Sequence, residues 1–169
     1  MAYWATYIAG AIPKMIAKEL ISVSKTQLRS FSKDVAWSEP DYIHFTTHFL
    51  GWLTNEEKIK VKNEIATYGN IDIILTQNIK HLGWKASENY LTLEVEKTNE
   101  LMEIYYLIKR NLALNNVVVK EQEFIPHITL GRFHPTCNKN HLNTKLSVPT
   151  KISDIKLSLF RSIEKSKIL

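Results

Sequence analysis

Apolar residues follow two rhythms along this chain, and the switches between them mark its elements. Residues 3–12 form an almost continuous apolar stretch and predict a strand. Pro13 stands at a helix start, where its missing N–H is harmless, and Met15, Ile16, Leu20, Ile21 and Leu28 follow at helical spacing. Residues 42–50, rich in Thr, Ile and aromatic side chains, predict a second strand. Thr54-Asn55-Glu56-Glu57 is a capping box that opens an amphipathic helix running to about Tyr68 and ending at Gly69-Asn70. Strands are expected over 71–75, extending towards Ile79, and over 90–95. A third helix starts at Thr98 or Asn99, carries Leu101, Ile104, Tyr105 and Ile108 inside, and ends near Leu112. Residues 124–133 and 155–163 read as the last strands, and 138–148 as a polar loop with a short helix.

Lining these elements up exposes a repeat. The helix near Lys14 recurs near Thr98, and the strand carrying His44 recurs as the strand carrying His127. The strand near Tyr3 maps to that near Tyr90, and the strand from Ile71 to that from Asp154. Each half reads strand, helix, histidine-bearing strand, strand. The expected fold is α+β: one domain over 1–169, its halves about 1–85 and 86–169, forming two lobes of antiparallel sheet with outer helices around a central cleft.

Composition narrows the classes. With 169 residues, 44% hydrophobic and 23% charged, the chain suits one domain with a sizeable core rather than a disordered or collagen-like polymer. No apolar run approaches the ~18 residues of a membrane span. The N-terminus lacks a basic lead-in and makes a poor signal peptide. A single cysteine, Cys137, excludes an internal disulfide framework and fits a reducing compartment, so a cytoplasmic location is expected; a monomer is expected as well. Lysine and arginine exceed aspartate and glutamate by 22 to 17, which favours anionic ligands without forming a basic arm.

The chemistry sits in the two middle strands of the repeat. One reads His44-Phe45-Thr46-Thr47-His48-Phe49-Leu50-Gly51, the other Pro126-His127-Ile128-Thr129-Leu130-Gly131-Arg132. Residues two apart on a strand share a face, so each strand presents an imidazole beside a hydroxyl. A third His-x-Thr, His134-Pro135-Thr136, contains a proline and lies outside any apolar strand, so it reads as loop. Imidazole titrates near neutral pH: one ring can take a proton from attacking water while the other gives one to a leaving oxygen. The threonine hydroxyls can donate to two phosphate oxygens. Two such sets across a cleft suit a tetrahedral phosphodiester, and a 2′,3′-cyclic phosphate, with its activated leaving oxygen, needs no metal for this chemistry.

The paired motifs resemble the two-histidine phosphoesterase superfamily, and within it the RNA 2′,3′-cyclic phosphodiesterase, or 2′-5′ RNA ligase-like, group. His44, Thr46, Phe49, Leu50 and Gly51 match its first motif, His-x-Thr-Leu-x-Phe-Leu-Gly; Pro126, His127, Thr129, Leu130 and Arg132 match its second, Pro-His-x-Thr-Leu-x-Arg. Tyr7-Ile8-Ala9 and Leu159-Phe160-Arg161-Ser162 are weaker echoes. The resemblance implies a bilobal two-histidine phosphoesterase fold and a hydrolase that opens RNA-terminal or nucleotide 2′,3′-cyclic phosphates. His44 and His127 are the expected catalytic pair, with Thr46, Thr129 and Arg132 on the phosphate. The alternatives are cleavage of 2′-5′ oligoadenylate or cyclic signalling nucleotides, nucleotide binding without turnover, or 2′-5′ ligation.

The first motif departs at two places. Thr47 replaces leucine and should point into the core, where its hydroxyl needs a partner; His48 should share the face of His44, as a cleft-mouth residue or a surface histidine at the strand end. Phe133, next to Arg132, is the candidate for stacking on a base, whereas Trp37, Trp52 and Trp84 read as core or rim. His81, His134 and His141 read as surface residues. His44 and His48 are four apart, but the segment reads as strand and no Glu follows His44, so no catalytic metal is expected. No cofactor is expected either. The partners implied are RNA or oligonucleotide ends and small nucleotides, with no membrane and no obligatory protein.

Overall fold

Seven strands and three α-helices run through residues 5–30, 32–83, 89–135, 137 and 144–162, the part of the chain that this computed structural model describes. The strands are β1 (Ala5–Ala11), β2 (Val35–Trp37), β3 (His44–Gly51), β4 (Asn70–Leu82), β5 (Tyr90–Val95), β6 (His127–Phe133) and β7 (Lys151–Ser162). The helices are α1 (Lys14–Gln27), α2 (Asn55–Ala66) and α3 (Asn99–Leu114).

Local chemistry sets the helix ends. Pro13 is the residue before α1. Thr54 opens α2 with a full capping box: its hydroxyl accepts from the Glu57 N–H, and Glu57 accepts from the Thr54 N–H. Thr98 caps α3 by accepting from Leu101 N–H. Gly69, at φ +63, turns the chain out of α2 into β4. Each helix buries a single stripe: Ala17, Leu20 and Ile21 in α1, Val61 and Ile65 in α2, Leu101, Tyr105, Ile108 and Leu112 in α3.

The strands pair antiparallel in the order β2-β6-β3-β1-β7-β4-β5, and β5 also pairs with β6. The two long strands each serve two neighbours. The first part of β4 pairs with the first part of β7, while their later parts pair with β5 and β1 respectively. The repeat is visible in the register. Ala11 faces His44, Ala9 faces Thr46, Ile8 faces His48 and Tyr7 faces Phe49; displaced by 83 positions, Glu94 faces His127, Thr92 faces Thr129, Leu91 faces Gly131 and Tyr90 faces Arg132. Both histidine-bearing strands therefore carry an extra residue at the same place, Thr47 or Leu130, opposite a neighbour that skips it, which is a β-bulge; β3 has a second such shift at Leu50. The lobes touch at the centre through Phe45 and Ile128, themselves 83 apart and both fully buried. Fully buried Ile8, Leu91, Leu93 and Leu130 extend the core from there.

Several sequence expectations shift. The equivalent of Tyr90 is Tyr7, not Tyr3. Strand β6 begins only at His127, because Pro126 has no N–H for a ladder and 117–126 run as irregular chain. β4 continues beyond Ile79 to Leu82 past Gln77, whose φ of 67 bends the strand instead of ending it. β2 was not expected; three residues carry too little pattern, and it forms by pairing with the exposed edge of β6. The short helix expected over 138–148 falls partly outside the described residues, and 144–150 are not helical.

Candidate active site

Strand geometry brings four of the predicted site residues together. His44 and Thr46 on β3, and His127 and Thr129 on β6, are all half-buried and alternate with the core residues Phe45, Ile128 and Leu130. Each imidazole is anchored the same way. His44 Nδ1 lies 2.8 Å from the Tyr42 carbonyl, and His127 Nδ1 lies 2.6 Å from the Ile125 carbonyl. A carbonyl only accepts, so Nδ1 donates in both rings. In the neutral ring, Nε2 then carries the basic lone pair.

The rings are close enough to sense one another. Burial pushes the His127 pKa down; its bond to the Ile125 carbonyl opposes that, and the charge of His44 pushes it further down. At neutral pH His127 is therefore held neutral, the state a general base requires. Beyond each histidine the walls differ. Tyr7 lies 5.4 Å from His44 and stacks on Phe160 at 5.7 Å, while Phe49 closes against Tyr7 at 6.0 Å. Burial raises the Tyr7 pKa, so its hydroxyl stays protonated. On the other lobe Tyr90 holds Arg132, with the guanidinium 5.1 Å from the ring centroid and Nη2 3.1 Å from the phenol oxygen. Opposite His127 stands Glu94, which accepts from Thr76 and Asn78 and pairs with Lys80. Burial would raise the Glu94 pKa, but these donors hold it at about 2.

Two expectations about the site are corrected. His48 does not share the face of His44. The bulge at Thr47 shifts the alternation by one residue, so His48 turns inward and is 2% exposed. Its Nε2 donates to the Tyr105 carbonyl at 3.0 Å, its Nδ1 lies 3.0 Å from Thr47 Oγ1, and burial pushes its pKa down to about 4. Thr47 does point into the core, and its hydroxyl lies 3.2 Å from the Ile8 carbonyl. Phe133 is not a rim residue: it is 2% exposed and belongs to the core, for the same reason that its counterpart Leu50 does. Arg132 is exposed. Trp37 is half-buried against the core and Trp52 is exposed, whereas Trp84 and His141 lie outside the described residues. His81 and His134 are exposed, and His81 Nε2 lies 3.1 Å from Asn89 Oδ1.

Sequence reading missed Tyr90, Glu94, Lys80 and the aromatic wall of Tyr7 and Phe160 as site furniture. The 83-residue offset, applied position by position, would have paired Tyr7 with Tyr90. Nothing in the sequence signals that Lys80 on β4 reaches Glu94 on β5. Among the described residues, no group of three His, Cys, Asp or Glu is placed to hold a metal ion. No helix among them is long and apolar enough to cross a membrane.

No protein-family model matches the chain. An RNA 2′,3′-cyclic phosphodiesterase of Methanocaldococcus jannaschii is 29% identical over 161 residues, covering 92% of this chain and 85% of that protein. One from Thermotoga maritima is 25% identical over 131 residues, covering 75% and 68% respectively. The fold matches the crystal structure of apo LigT from E. coli with a TM-score of 0.71 at 16% identity, over 96% of this chain and 89% of that one. LigT complexed with 3′-AMP gives a TM-score of 0.69 at the same identity and coverage. With its two matched His-x-Thr strands and its antiparallel α+β fold, the chain is similar in sequence to these RNA 2′,3′-cyclic phosphodiesterases and shares the fold of LigT.

Proposed function

We propose that this chain hydrolyses 2′,3′-cyclic phosphates at RNA ends or on nucleotides, without a metal. The observation that carries the reading is the duplicated histidine geometry: two imidazoles, each locked through Nδ1 to a carbonyl two residues upstream, each beside a threonine, on strands joined at one central pair. The names of the two sequence relatives support the substrate class, and the 3′-AMP complex of a structural relative supports a nucleotide in such a cleft.

In this reading the cyclic phosphate lies between the strands. The Thr46 and Thr129 hydroxyls donate to its non-bridging oxygens. His127 is the base: its depressed pKa keeps Nε2 unprotonated, so it takes the proton of the attacking water. A P–O bond forms to that water, one ring ester P–O bond breaks, and His44 protonates the departing ribose oxygen. Arg132, steadied by Tyr90, adds positive charge on the lobe-two side. Thr47 and His48, the two departures from the first motif, are both buried. The protein is read as acting on its own in a reducing compartment.

The test is turnover of an oligonucleotide ending in a 2′,3′-cyclic phosphate beside 2′-5′ oligoadenylate, with EDTA present, in wild type and His44→Ala. Opening of the cyclic phosphate that depends on His44 and survives EDTA is the expected result. Cleavage of the oligoadenylate alone would replace this substrate assignment. Binding of the nucleotide with no product from either would replace the enzyme by a binding module.

A further inference from the structure

Only one residue pair, Phe45 and Ile128, joins β3 to β6. That bridge places Thr46 directly opposite His127, and it is the sole backbone pairing between the two strands. Side chains behind the site brace it. His48 on β3 stacks on Tyr105 of α3 at 4.5 Å and 11°, and Tyr105 stacks on Phe124 at 4.2 Å and 7°. Phe124 leans in turn on Phe45 at 6.4 Å and lies in the segment that leads into Pro126 and His127. Three near-parallel rings thus run from the first catalytic strand, across a helix, to the approach of the second.

His48 is the ring whose polar atoms fix the stack. Its Nε2 donates to the Tyr105 carbonyl and its Nδ1 meets Thr47 Oγ1, one residue from Thr46. Thr46, His48, Tyr105, Phe124 and His127 all line one small cavity of about 20 Å³. The other lobe has no counterpart. Gly131 stands where His48 would be, and a Cβ there would sit 2.7 Å from the Ala36 carbonyl oxygen and from Val35 Cγ1. On that lobe β2 closes the space with backbone, so the ring brace exists on one side of the site only.

We infer that His48 is a positioning residue: through Thr47, and through the Tyr105–Phe124 stack, it braces the single bridge that holds Thr46 on β3 opposite His127 on β6. The inference rests on the acid–base reading of that pair. Stacked rings resist compression, and the two polar contacts stop the imidazole from rotating out of the stack.

The test compares His48→Leu, His48→Gln and Tyr105→Leu for turnover of the cyclic-phosphate oligonucleotide, with the ring NMR signals of His44 and His127 recorded in each. A misplacement near 1 Å is worth up to about 10²-fold, so His48→Leu should lower kcat about 10- to 100-fold with KM nearly unchanged. The His127 ring signals should move with it. His48→Gln, which keeps a donor for the Tyr105 carbonyl, should recover most of the loss. Tyr105→Leu should lower kcat alone, but add nothing on top of His48→Leu. Wild-type kcat and unmoved ring signals in both leucine variants would overturn the inference. So would a fall in Tm with the folded fraction fully active. If wild type opens no cyclic phosphate, the acid–base reading fails separately, and the ring signals decide: movement in both leucine variants keeps His48 as the brace, and no movement overturns it.

Discussion

Around His44 the wall of the cleft is aromatic, built from Tyr7, Phe49 and Phe160. Around His127, Tyr90 and Arg132 stand at the positions of Tyr7 and Phe49, and Glu94 stands where the first lobe has Ala11, with Lys80 paired to its carboxylate. The two strands nevertheless share one backbone plan: the same carbonyl anchor for Nδ1, the same threonine two residues on, the same bulge after it. Chemistry that needs two matched imidazoles constrains the backbone of both lobes alike. The nucleotide proposed as substrate is not two-fold symmetric, and the walls that would meet it are free to diverge. The bulge matters most here, because it turns the next cleft-facing position into Phe49 on one lobe and Arg132 on the other.

The comparison breaks first at the histidines. His127→Ala and His44→Ala should each cut kcat by about 10²–10⁴-fold with little change in Tm, measured by steady-state turnover and thermal melting. Near-wild-type turnover in either would end the acid–base account. The roles differ in pH dependence: a base must be neutral, and the His127 pKa is lowered, so kcat/KM should fall with acid only below the ordinary imidazole value of about 6.5.

The next largest effect belongs to His48. Its folded pKa of about 4 lies below the unfolded value. Below about pH 6.5 the unfolded chain takes up a proton that the folded chain refuses, so stability is full above that pH and is lost as pH falls towards 4. The loss should reach roughly 3 kcal/mol, and His48→Gln should remove that share of the slope in urea titrations run across pH. A slope unchanged by the substitution would mean that His48 accepts its proton without difficulty.

Gly131 tests the bulge from the other lobe. Gly131→Ala drives a Cβ into the Ala36 carbonyl and should destabilise by about 1–3 kcal/mol in denaturant melts. An unchanged midpoint would show that β2 yields. Thr46→Val and Thr129→Val should each raise KM or lower kcat about tenfold, and unequal losses would rank the two hydroxyls. The smallest effect is expected at Arg132. Arg132→Gln should weaken oligonucleotide binding a few-fold and flatten its salt dependence, leaving kcat nearly intact.

Much of this was legible in the sequence because it rests on local rules. The capping box of α2, the N-cap of α3, the apolar stripes of the helices and the His-x-Thr pairs all follow from short-range spacing. The repeat was legible too, though its offset slipped by four residues at Tyr3, where a continuous apolar run gives no register. Phe133 was misread because a bulky residue beside an exposed arginine has no inward or outward mark of its own. β2 was invisible because three residues next to a strand edge have no periodicity.

The sequence by itself determined that two matched His-x-Thr sets stand on two strands, since residue type and spacing within a strand are local properties. Tertiary structure decided which way each side chain faces after the bulge. A single extra residue reverses the alternation that every strand prediction assumes, and it is placed by the pairing of β3 with β1 and of β6 with β5. That pairing took His48 out of the cleft and into a stack with Tyr105, and it brought Arg132 onto Tyr90. These contacts join residues 57 and 42 positions apart, beyond the reach of any local rule.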